Sequence, residues 1–147
     1  MNPDVVSGFS RTVTIARAAL ETVIAHARET APAECCGLLL GCDGTVVEAL
    51  RTRNVAADPL SRFVIDPKDH IDHRRDARRR GLDVTGFYHS HPRTAATPSA
   101  TDGEEASYPD HLYMIVSLAQ EPPDVGVFRL DGVDAGNFHR LPLVTVP

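Results

Sequence analysis

The sequence has no tryptophan, few other aromatic residues and no excess of basic residues. Phe, Tyr and Trp make up 5% of the 147 residues, and 15 Lys and Arg residues stand against 20 Asp and Glu residues, for a formal net charge of −5. Proteins that bind nucleic acid rely on excess Lys and Arg, and single-strand binders add aromatic stacking platforms. We therefore expect no nucleic acid among the partners of this protein.

Long hydrophobic runs are also missing. No uninterrupted apolar stretch approaches the roughly 20 residues of a membrane-spanning helix, and the first ten residues lack the basic and apolar regions of a secretory signal. The three cysteines, Cys35, Cys36 and Cys42, are odd in number and crowded together, so they make a poor disulfide framework. Free thiols are typical of a reducing compartment. We expect a cytoplasmic protein with no membrane partner.

The rest of the composition is that of an ordinary globular domain. Hydrophobic residues make up 42% of the chain and charged residues 24%, which is enough apolar material for a core. The length fits one domain and leaves little room for a second. The sequence contains no internal repeat, and it predicts a flexible N-terminus over residues 1–11 followed by a single domain over residues 12–147.

The first half of the domain predicts a helix followed by a strand hairpin. Residues 16–29 carry apolar side chains close to the i, i+3, i+4, i+7 spacing of one helix face. The apolar run at residues 35–41 predicts a buried strand. The dipeptide Asp43-Gly44 is a hairpin turn signal, and a returning strand is expected at residues 45–50.

The second half alternates helices and strands. Asp66 is placed as an N-cap, Pro67 as the first helical residue and Gly81 as a helix stop. The predicted elements are a short strand at 62–65, a helix from Pro67 to about Arg80, a strand at 84–91, a helix that begins after Ser99, and strands at 112–118, 125–130 and 138–146, with loops at 51–61 and 92–98. This mixture favours an α/β fold, with a mixed β-sheet flanked by helices.

A cluster of arginines from Arg74 to Arg80 ends the helix that follows Asp66. The cluster could be a nucleic-acid patch or a solvated helix face. Because the net charge is acidic, the solvated face is the interpretation that we prefer.

Two histidines near the end of a predicted strand carry the clearest chemical signal. Side chains alternate along a strand, so His89 and His91 point to the same side, and Pro92 ends the strand directly after them. Asp102 follows a turn and lies in the first turn of the next helix, where it can reach back toward the pair. Two histidines and one carboxylate are a known ligand set for catalytic zinc, with the fourth position left to water.

Glu34 is the best candidate for the general base that such a zinc site needs. Zinc lowers the pKa of a bound water from about 15.7 toward roughly 7, but a nearby group must still take or pass on the proton. Glu34 lies just before the buried strand and just after Pro32, where an isolated acid would be costly without a function.

At these residues the sequence resembles the JAMM metalloprotease family, also called MPN-plus or Mov34-like. The family pattern is a Glu, then His-x-His, seven residues, Ser, two residues and Asp, and His89, His91, Ser99 and Asp102 match its spacing. The segment from Pro32 to Gly41 also looks like the family's Glu-bearing strand. The resemblance covers about residues 13–130 and implies a JAB/MPN fold, with the three-layer arrangement of the cytidine-deaminase type.

The resemblance also implies an activity and a role for each residue. His89, His91 and Asp102 would hold one zinc ion per chain, Glu34 would shuttle the proton, and Ser99 would stabilise the oxyanion. The alternative for Ser99 is a plain helix cap, in a pattern much like a capping box with Asp102. The implied substrates are peptide or isopeptide bonds, often after the C-terminal glycines of a ubiquitin-like or sulfur-carrier protein.

The remaining candidate residues are given structural roles. Ser90 points away from the histidine pair, and Cys36 matches a small buried position of the family beside the site. Cys35 faces the opposite way and is a candidate for oxidation. A Cys-His protease is disfavoured, because nothing activates these thiols. We expect His70 and His73 at the surface, and the other lone histidines in packing or surface positions: His26, His111 and His139.

Three rival functions and two questions remain open at this stage. The rivals are a hydrolase of the same fold that acts on small or cell-wall peptides, a non-catalytic MPN scaffold or interaction module, and a DNA-repair-associated bacterial branch. The retained metal ligands count against the scaffold, and the short chain and acidic charge count against the DNA-repair branch. The sequence leaves open whether the enzyme needs a partner and whether its edge strands pair in a homodimer.

Overall fold

An eight-stranded mixed sheet forms the centre of the part of the chain that the structure describes. The structure is a computed structural model and describes residues 12–105, 108, 110–130 and 138–147, with the backbone alone at 103–105. The strand order is β7-β6-β5-β4-β2-β3-β1-β8. The predicted flexible segment at residues 1–11 lies outside the described residues.

The elements follow the predicted order closely. They are β1 (Val13–Ala16), α1 (Arg17–Thr30), β2 (Cys36–Cys42), β3 (Thr45–Thr52), α2 (Pro67–Arg79), β4 (Asp83–His91), α3 (Ala100–Glu105), β5 (Leu112–Ser117), β6 (Asp124–Leu130), β7 (Phe138–Leu141) and β8 (Leu143–Val146). Strand β1 runs parallel to β3 and β8, and β4 runs parallel to β5. The other pairs of neighbouring strands are antiparallel.

The predicted hairpin between β2 and β3 is confirmed. Asp43 and Gly44 have φ angles of 48° and 80°, and Cys42 pairs with Thr45 directly across the turn. Positive φ at both central residues is the backbone of a type I′ turn, which Asp-Gly favours. Strand β2 lies between β3 and β4, so its apolar side chains are buried.

Four local predictions need correction. The segment predicted as one strand at 138–146 forms two strands, β7 and β8, separated by Pro142. Strand β1 was not predicted, because four residues are too few to show a period, and the helix α1 begins at Arg17 after it. Strand β3 continues to Thr52, two residues beyond its predicted end. The segment at 62–65 makes an isolated bridge, Ile65 to Asn54, instead of a strand. The Asn54 side chain accepts the Val64 N–H at 3.0 Å and so replaces a backbone partner there.

Helices cover both faces of the sheet. The helix α1 packs against one face and buries Ala19, Val23 and Ala27, in a core that includes Leu39 and Met114. The helix α2 lies on the other face, where His70 contacts the ring of Phe87. The predicted fold class, a mixed sheet flanked by helices, is therefore confirmed, and the arrangement has three layers.

The caps of α2 are those expected from its sequence. The Asp66 carboxylate accepts the Lys68 N–H at 3.1 Å, and Pro67 is the first helical residue. Gly81 has a φ of 72° directly after the helix, a backbone conformation that glycine adopts without strain. None of the described helices is long and apolar enough to cross a membrane.

The position of β4 in the sheet determines where the chemistry lies. Strand β4 lies between β2 and β5, and its last residue, His91, pairs with Ser117 of β5. Because β4 and β5 are parallel, the connecting segment must return along the sheet. This segment carries α3 and Asp102 past the end of β4 where the two histidines lie.

Candidate metal centre

The end of β4 places two imidazoles side by side on one face of the sheet. His89 and His91 are 3% and 5% exposed, and their Nε2 atoms are 3.2 Å apart. Alternation along the strand puts both on the face that carries α2. The expected pairing of these two residues on one face is present in the structure.

Asp102 completes the group that the sequence predicts. Its Oδ2 atom lies 3.0 Å from His91 Nε2 and 3.2 Å from His89 Nε2. The same oxygen accepts the backbone N–H of Ser99 at 2.9 Å. His89, His91 and Asp102, called here the metal group, therefore present three ligand atoms to one point, and this suggests a metal site.

The spacing of these atoms fits a small four-coordinate ion. Two ligand atoms that bind tetrahedral zinc at about 2.0–2.1 Å lie about 3.3 Å from one another. The three distances in the metal group are 3.0, 3.2 and 3.2 Å. The metal group therefore needs little rearrangement to hold such an ion.

The tautomer of His91 also indicates that the metal group holds a cation or a proton. His91 Nδ1 is 2.7 Å from the carbonyl oxygen of Ala95, and since a carbonyl can only accept, Nδ1 carries the proton. In the neutral ring, Nε2 then points a lone pair toward the Asp102 carboxylate and the other imidazole. Three electron-rich atoms this close together need a proton or a cation between them.

The electrostatics agree with that requirement. Burial lowers the pKa of His91, but the hydrogen bonds to Asp102 and to the Ala95 carbonyl outweigh it, and the net shift is upward. Burial raises the pKa of Asp102, but its hydrogen bonds with His89 and His91 prevail and hold that pKa far below its usual range. The metal group therefore attracts positive charge.

Strand pairing brings Glu34 next to the metal group. Cys36 pairs with His89, and the Ser90 N–H donates to the Cys35 carbonyl at 3.1 Å. This register sets Glu34 across from His91, on the same face as Cys36 and His89. Glu34 is 6% exposed, and its negative charge contributes to the raised pKa of His91.

A comparison with known protein families shows to which family the chain belongs. The sequence model described as prokaryotic homologs of the JAB domain matches residues 16–131, a stretch that includes Glu34 and the metal group. The chain belongs to this family. The resemblance inferred from the sequence motif is thereby confirmed.

Curated relatives and solved structures agree with this membership. A desampylase of Haloferax volcanii is 40% identical over 74% of this chain and 82% of that protein. A probable TtuB-protein conjugate cleaving protease of Thermus thermophilus is 34% identical, over 64% of this chain and 63% of that protein. A CysO-cysteine peptidase of Mycobacterium tuberculosis is 33% identical, over 67% and 68%.

Two solved structures share the fold. A protein of Desulfitobacterium hafniense is 32% identical, with a TM-score of 0.82 over 91% of this chain and 92% of that one. A JAB1/MPN domain protein of Archaeoglobus fulgidus is 19% identical, with a TM-score of 0.61 over 94% of this chain and all of that one. At that identity the second likeness shows the fold alone.

Asn54 contacts the backbone of Glu34 and was not identified by the sequence analysis. The Asn54 amide nitrogen donates to the carbonyls of Glu34 and Arg62, at 3.0 and 3.1 Å. Its oxygen accepts the N–H groups of Ala56 and Val64, both at 3.0 Å. Asn54 therefore joins the backbone of Glu34 to the loop between β3 and α2. No local sequence signal distinguishes it from other loop asparagines.

Phe63 was also missed. Its ring stacks on His89, with centroids 4.3 Å apart and planes at 21°. An aromatic contact of this kind fixes the plane of the imidazole. Phe63 lies in the loop between β3 and α2, and its distance from His89 in the sequence hides the contact.

The capping-box pattern at Ser99 is present. Ser99 Oγ accepts the Asp102 N–H at 3.0 Å, and Asp102 Oδ2 accepts the Ser99 N–H at 2.9 Å. This reciprocal pair holds the Asp102 carboxylate in the metal group. Ser99 Oγ accepts the hydrogen bond from the Asp102 N–H, so its own hydroxyl proton remains available to donate. The role of this hydroxyl in stabilising an oxyanion stays a prediction.

The thiols beside the site are inert. Cys35 and Cys36 are free and buried, and burial raises their pKa values to about 12 and about 11. The expectation that Cys35 is a candidate for oxidation is therefore wrong, because the thiol is inaccessible and protonated. Ser90 is structural, as expected: it is buried, and its Oγ accepts the Cys35 N–H at 2.8 Å.

The remaining histidines differ in part from prediction. His26 is buried as a packing group, and its Nδ1 lies 2.7 Å from the Tyr88 hydroxyl.

His70 and His73 are half-buried, not surface residues, because α2 turns them toward the sheet. His70 Nε2 accepts from Arg74 Nε at 2.8 Å, and His73 Nε2 bonds to the Arg51 carbonyl at 2.8 Å. His111 stacks on the Phe87 ring, with centroids 5.4 Å apart.

The arginine cluster is a solvated face with one exception. Arg79 and Arg80 form exposed ion pairs with Asp76, and Arg80 also pairs with Glu48. Arg74 instead turns inward, and its guanidinium lies 5.7 Å from the centre of the Tyr108 ring. The expectation of a fully solvated cluster is therefore wrong for Arg74.

Proposed function

We propose that this protein is a zinc-dependent peptidase or isopeptidase that cuts after the C-terminal Gly-Gly of a ubiquitin-like or sulfur-carrier protein. In this proposal the metal group binds one zinc ion per chain and Glu34 is the proton shuttle. The observation that carries it is the convergence of His89 Nε2, His91 Nε2 and Asp102 Oδ2 within 3.0–3.2 Å of one another. The expected peptidase activity agrees with the names of the three relatives.

The substrate class draws on those names and on the family resemblance. One relative is named for cleaving a TtuB-protein conjugate and another is named a CysO-cysteine peptidase. These names support a conjugate of a small carrier protein as the substrate. The non-catalytic scaffold is disfavoured, because the chain retains three convergent ligand atoms and a buried acid beside them.

The residues of the site have different roles in amide hydrolysis. Zinc held by the metal group would lower the pKa of a bound water molecule toward about 7 and would polarise the scissile carbonyl. Glu34 accepts the proton of the attacking water and delivers it to the leaving amine, which general acid–base catalysis requires. The Ser99 hydroxyl donates a hydrogen bond to the oxygen that becomes negative in the tetrahedral intermediate.

Burial of the catalytic acid supports this assignment. Glu34 stands beside the metal group in a part of the sheet with little exposure to water. A buried acid is costly unless it has a function, and a position beside the metal group suits an acid that must take a proton and later release it.

We also propose a cytoplasmic enzyme that does not act on nucleic acid, and a homodimer as its assembly. The three free cysteines fit a reducing compartment. The outer strands of the described sheet, β7 and β8, each have one side without a described neighbour. Such an edge could pair with a second copy.

The proposed function is tested by cleavage of a defined carrier. A ubiquitin-like sulfur carrier with a short peptide extension after its Gly-Gly is mixed with the zinc-loaded protein, and intact mass is followed. We expect release of the extension at the Gly-Gly bond. A chelator and the variant Asp102→Asn should abolish it, and Asp102→Asn should also lose zinc.

Two outcomes would contradict the proposal. Cleavage that persists in the presence of a chelator would remove zinc from the mechanism. A lack of cleavage of any carrier, with one zinc bound per chain, would leave a metal protein of another specificity and would favour small or cell-wall peptides as substrates.

A further inference from the structure

An apolar pocket lies beside the metal group, on the same face of the sheet. Its volume is about 450 Å³, and His89 and Asp102 form part of its wall. The rest of the wall is mainly aromatic and includes Phe63, Phe87, Tyr113 and Phe138. A pocket of this size lies within the usual range for small-molecule and side-chain sites, roughly 300–1,000 Å³.

The aromatic wall is a packed and preformed surface. The ring of Tyr113 lies 5.9 Å from that of Phe87 and 5.5 Å from that of Phe138, measured between centroids. Tyr108 extends the wall and lies 5.1 Å from Phe87. Contacts between the rings favour these arrangements in the absence of a ligand, so an entering side chain has less of the wall to order.

The charge of the wall selects against ionic groups. Among the described lining residues, Asp102 is the one acid, and it belongs to the metal group. His70 contributes a polar edge, but burial, and then the charge of Arg74, lowers its pKa below the usual value. The ring of His70 is therefore neutral at physiological pH, and apart from Asp102, which belongs to the metal group, the described wall offers no charged partner to a lysine or a carboxylate.

We propose that this pocket binds the side chain of the residue that follows the scissile bond, and that the enzyme prefers a large apolar side chain there. The inference rests on the proposed function. A Gly-Gly end on the acyl side has no side chain to place beside the metal group, whereas the residue on the leaving side carries one directly next to the scissile bond. The proposal thus assigns leaving-group specificity to Phe63, Phe87, Tyr113 and Phe138.

The expected preference follows from the area that such a side chain removes from water. Burial of a Phe or Leu side chain is worth enough to change kcat/KM by about 10- to 100-fold. An Ala in the same position fills little of the pocket and gains little. A carrier with Lys in this position should have a kcat/KM close to that of the Ala carrier. The alkyl stem of Lys can enter the pocket, but its ammonium group finds no free acid there.

The proposal is tested with a series of carriers that differ in one residue. Each carries Phe, Leu, Ala or Lys directly after the terminal Gly-Gly, and kcat/KM is measured with the zinc-loaded protein. We expect Phe and Leu to exceed Ala by at least about 10-fold. Values for Phe, Leu and Ala within about twofold of one another would overturn the proposal.

A matched pair of variants locates the preference in the pocket. Val64 lines the pocket and is 43% exposed, whereas Val144 on β8 is 49% exposed and does not line it. Val64→Trp should narrow the pocket and lower the Phe-to-Ala ratio by at least about fivefold, whereas Val144→Trp should leave both the ratio and the rates unchanged. An unchanged ratio in Val64→Trp, with its zinc content intact, would overturn the proposal.

A binding experiment separates failure of this inference from failure of the proposed function. If no carrier is cleaved, the proposed function is wrong, and the pocket is judged by adding L-phenylalanine amide or L-alanine amide to the zinc-loaded protein. Saturable shifts of the Ile115 methyl resonances with the Phe amide alone, weakened in Val64→Trp, would support an apolar side-chain site. The absence of saturable shifts would overturn it.

Discussion

The ring of Phe63 stacks on the ring of His89, with 4.3 Å between centroids and 21° between planes. Phe63 belongs to the loop between β3 and α2, and His89 belongs to β4, so this contact joins the loop to a proposed metal ligand. The same loop is tied to Glu34 through Asn54. The loop therefore holds two parts of the site in place, although it supplies none of the proposed ligands.

Replacement of Phe63 by Ala should weaken zinc binding. The stack orients the His89 ring before the ion binds, and an aromatic contact of this kind is worth about 0.5–1.5 kcal/mol, or about 2- to 10-fold in affinity. Competition with a chromophoric chelator measures the change. Leu60→Ala, in the same loop and exposed, is the control and should bind zinc like the parent protein. Equal affinities of Phe63→Ala and the parent would show that the stack does not orient the ligand.

Replacement of Asn54 by Ala should lower the free energy of unfolding. The change removes four hydrogen bonds to backbone groups, and we expect a loss of about 1–3 kcal/mol in the free energy of unfolding. Urea unfolding of the metal-free protein measures it. Ser61→Ala deletes one exposed hydrogen bond in the same loop and should change stability by less than about 0.5 kcal/mol. Similar losses in both variants would argue against a special role for Asn54.

The variant Ser99→Gly separates the two roles considered for Ser99. Glycine is a fair N-cap, so stability should fall by only a few tenths of a kcal/mol. The hydroxyl donor is lost, and we expect kcat to fall by about 10²- to 10³-fold with zinc retained. Zinc content, thermal unfolding and kcat are measured on the same sample. A kcat within about threefold of the parent would leave Ser99 as a helix cap.

The buried imidazole of His26 should make the fold sensitive to acid. Burial, and then the charge of Arg51, lowers the pKa of His26 to about 4, whereas the unfolded chain titrates near 6.5. Between these values the unfolded state binds the extra proton. The free energy of unfolding is therefore unaffected above pH 6.5 and falls as the pH drops from 6.5 toward 4, by up to about 3 kcal/mol.

Urea unfolding at pH 7.0 and 4.5 checks this dependence on the metal-free protein, so that acid release of zinc does not contribute. His26→Gln is the control, because its amide does not titrate. The parent should lose about 2–3 kcal/mol more than His26→Gln between the two pH values. Equal losses in the two proteins would place the pKa of His26 near its ordinary value in the folded state.

The metal group was predictable because its signal is local or matches a family spacing. His89 and His91 alternate on one strand, and Ser99 and Asp102 carry a helix-start pattern whose two hydrogen bonds are present. Glu34 was found by its position before an apolar run. Its place opposite His91 depends on the register of β2 and β4, which links residues more than fifty positions apart.

The contacts that escaped prediction join distant segments. Strand β8 lies next to β1, and β7 lies next to β6, although β7 and β8 are separated by Pro142 alone. Phe63 and Asn54 act through partners that their neighbours in the sequence do not reveal. His70 was expected at the surface because no acid or cysteine at a useful spacing completes a site with it, but α2 turns it toward Phe87. The periodicity of a sequence shows which face of a helix or strand is apolar, but it does not show which other element packs on that face.

The central claim is that metal binding and proton transfer belong to separate residues, and Glu34→Gln tests it most directly. Zinc per chain and the rate of cleavage of the Gly-Gly-extended carrier are measured on one sample of the variant and of the parent. We predict one zinc per chain in both and a rate at least about 10²-fold lower in the variant, because the amide cannot shuttle a proton. A variant that holds one zinc and cleaves at the parental rate would contradict the account.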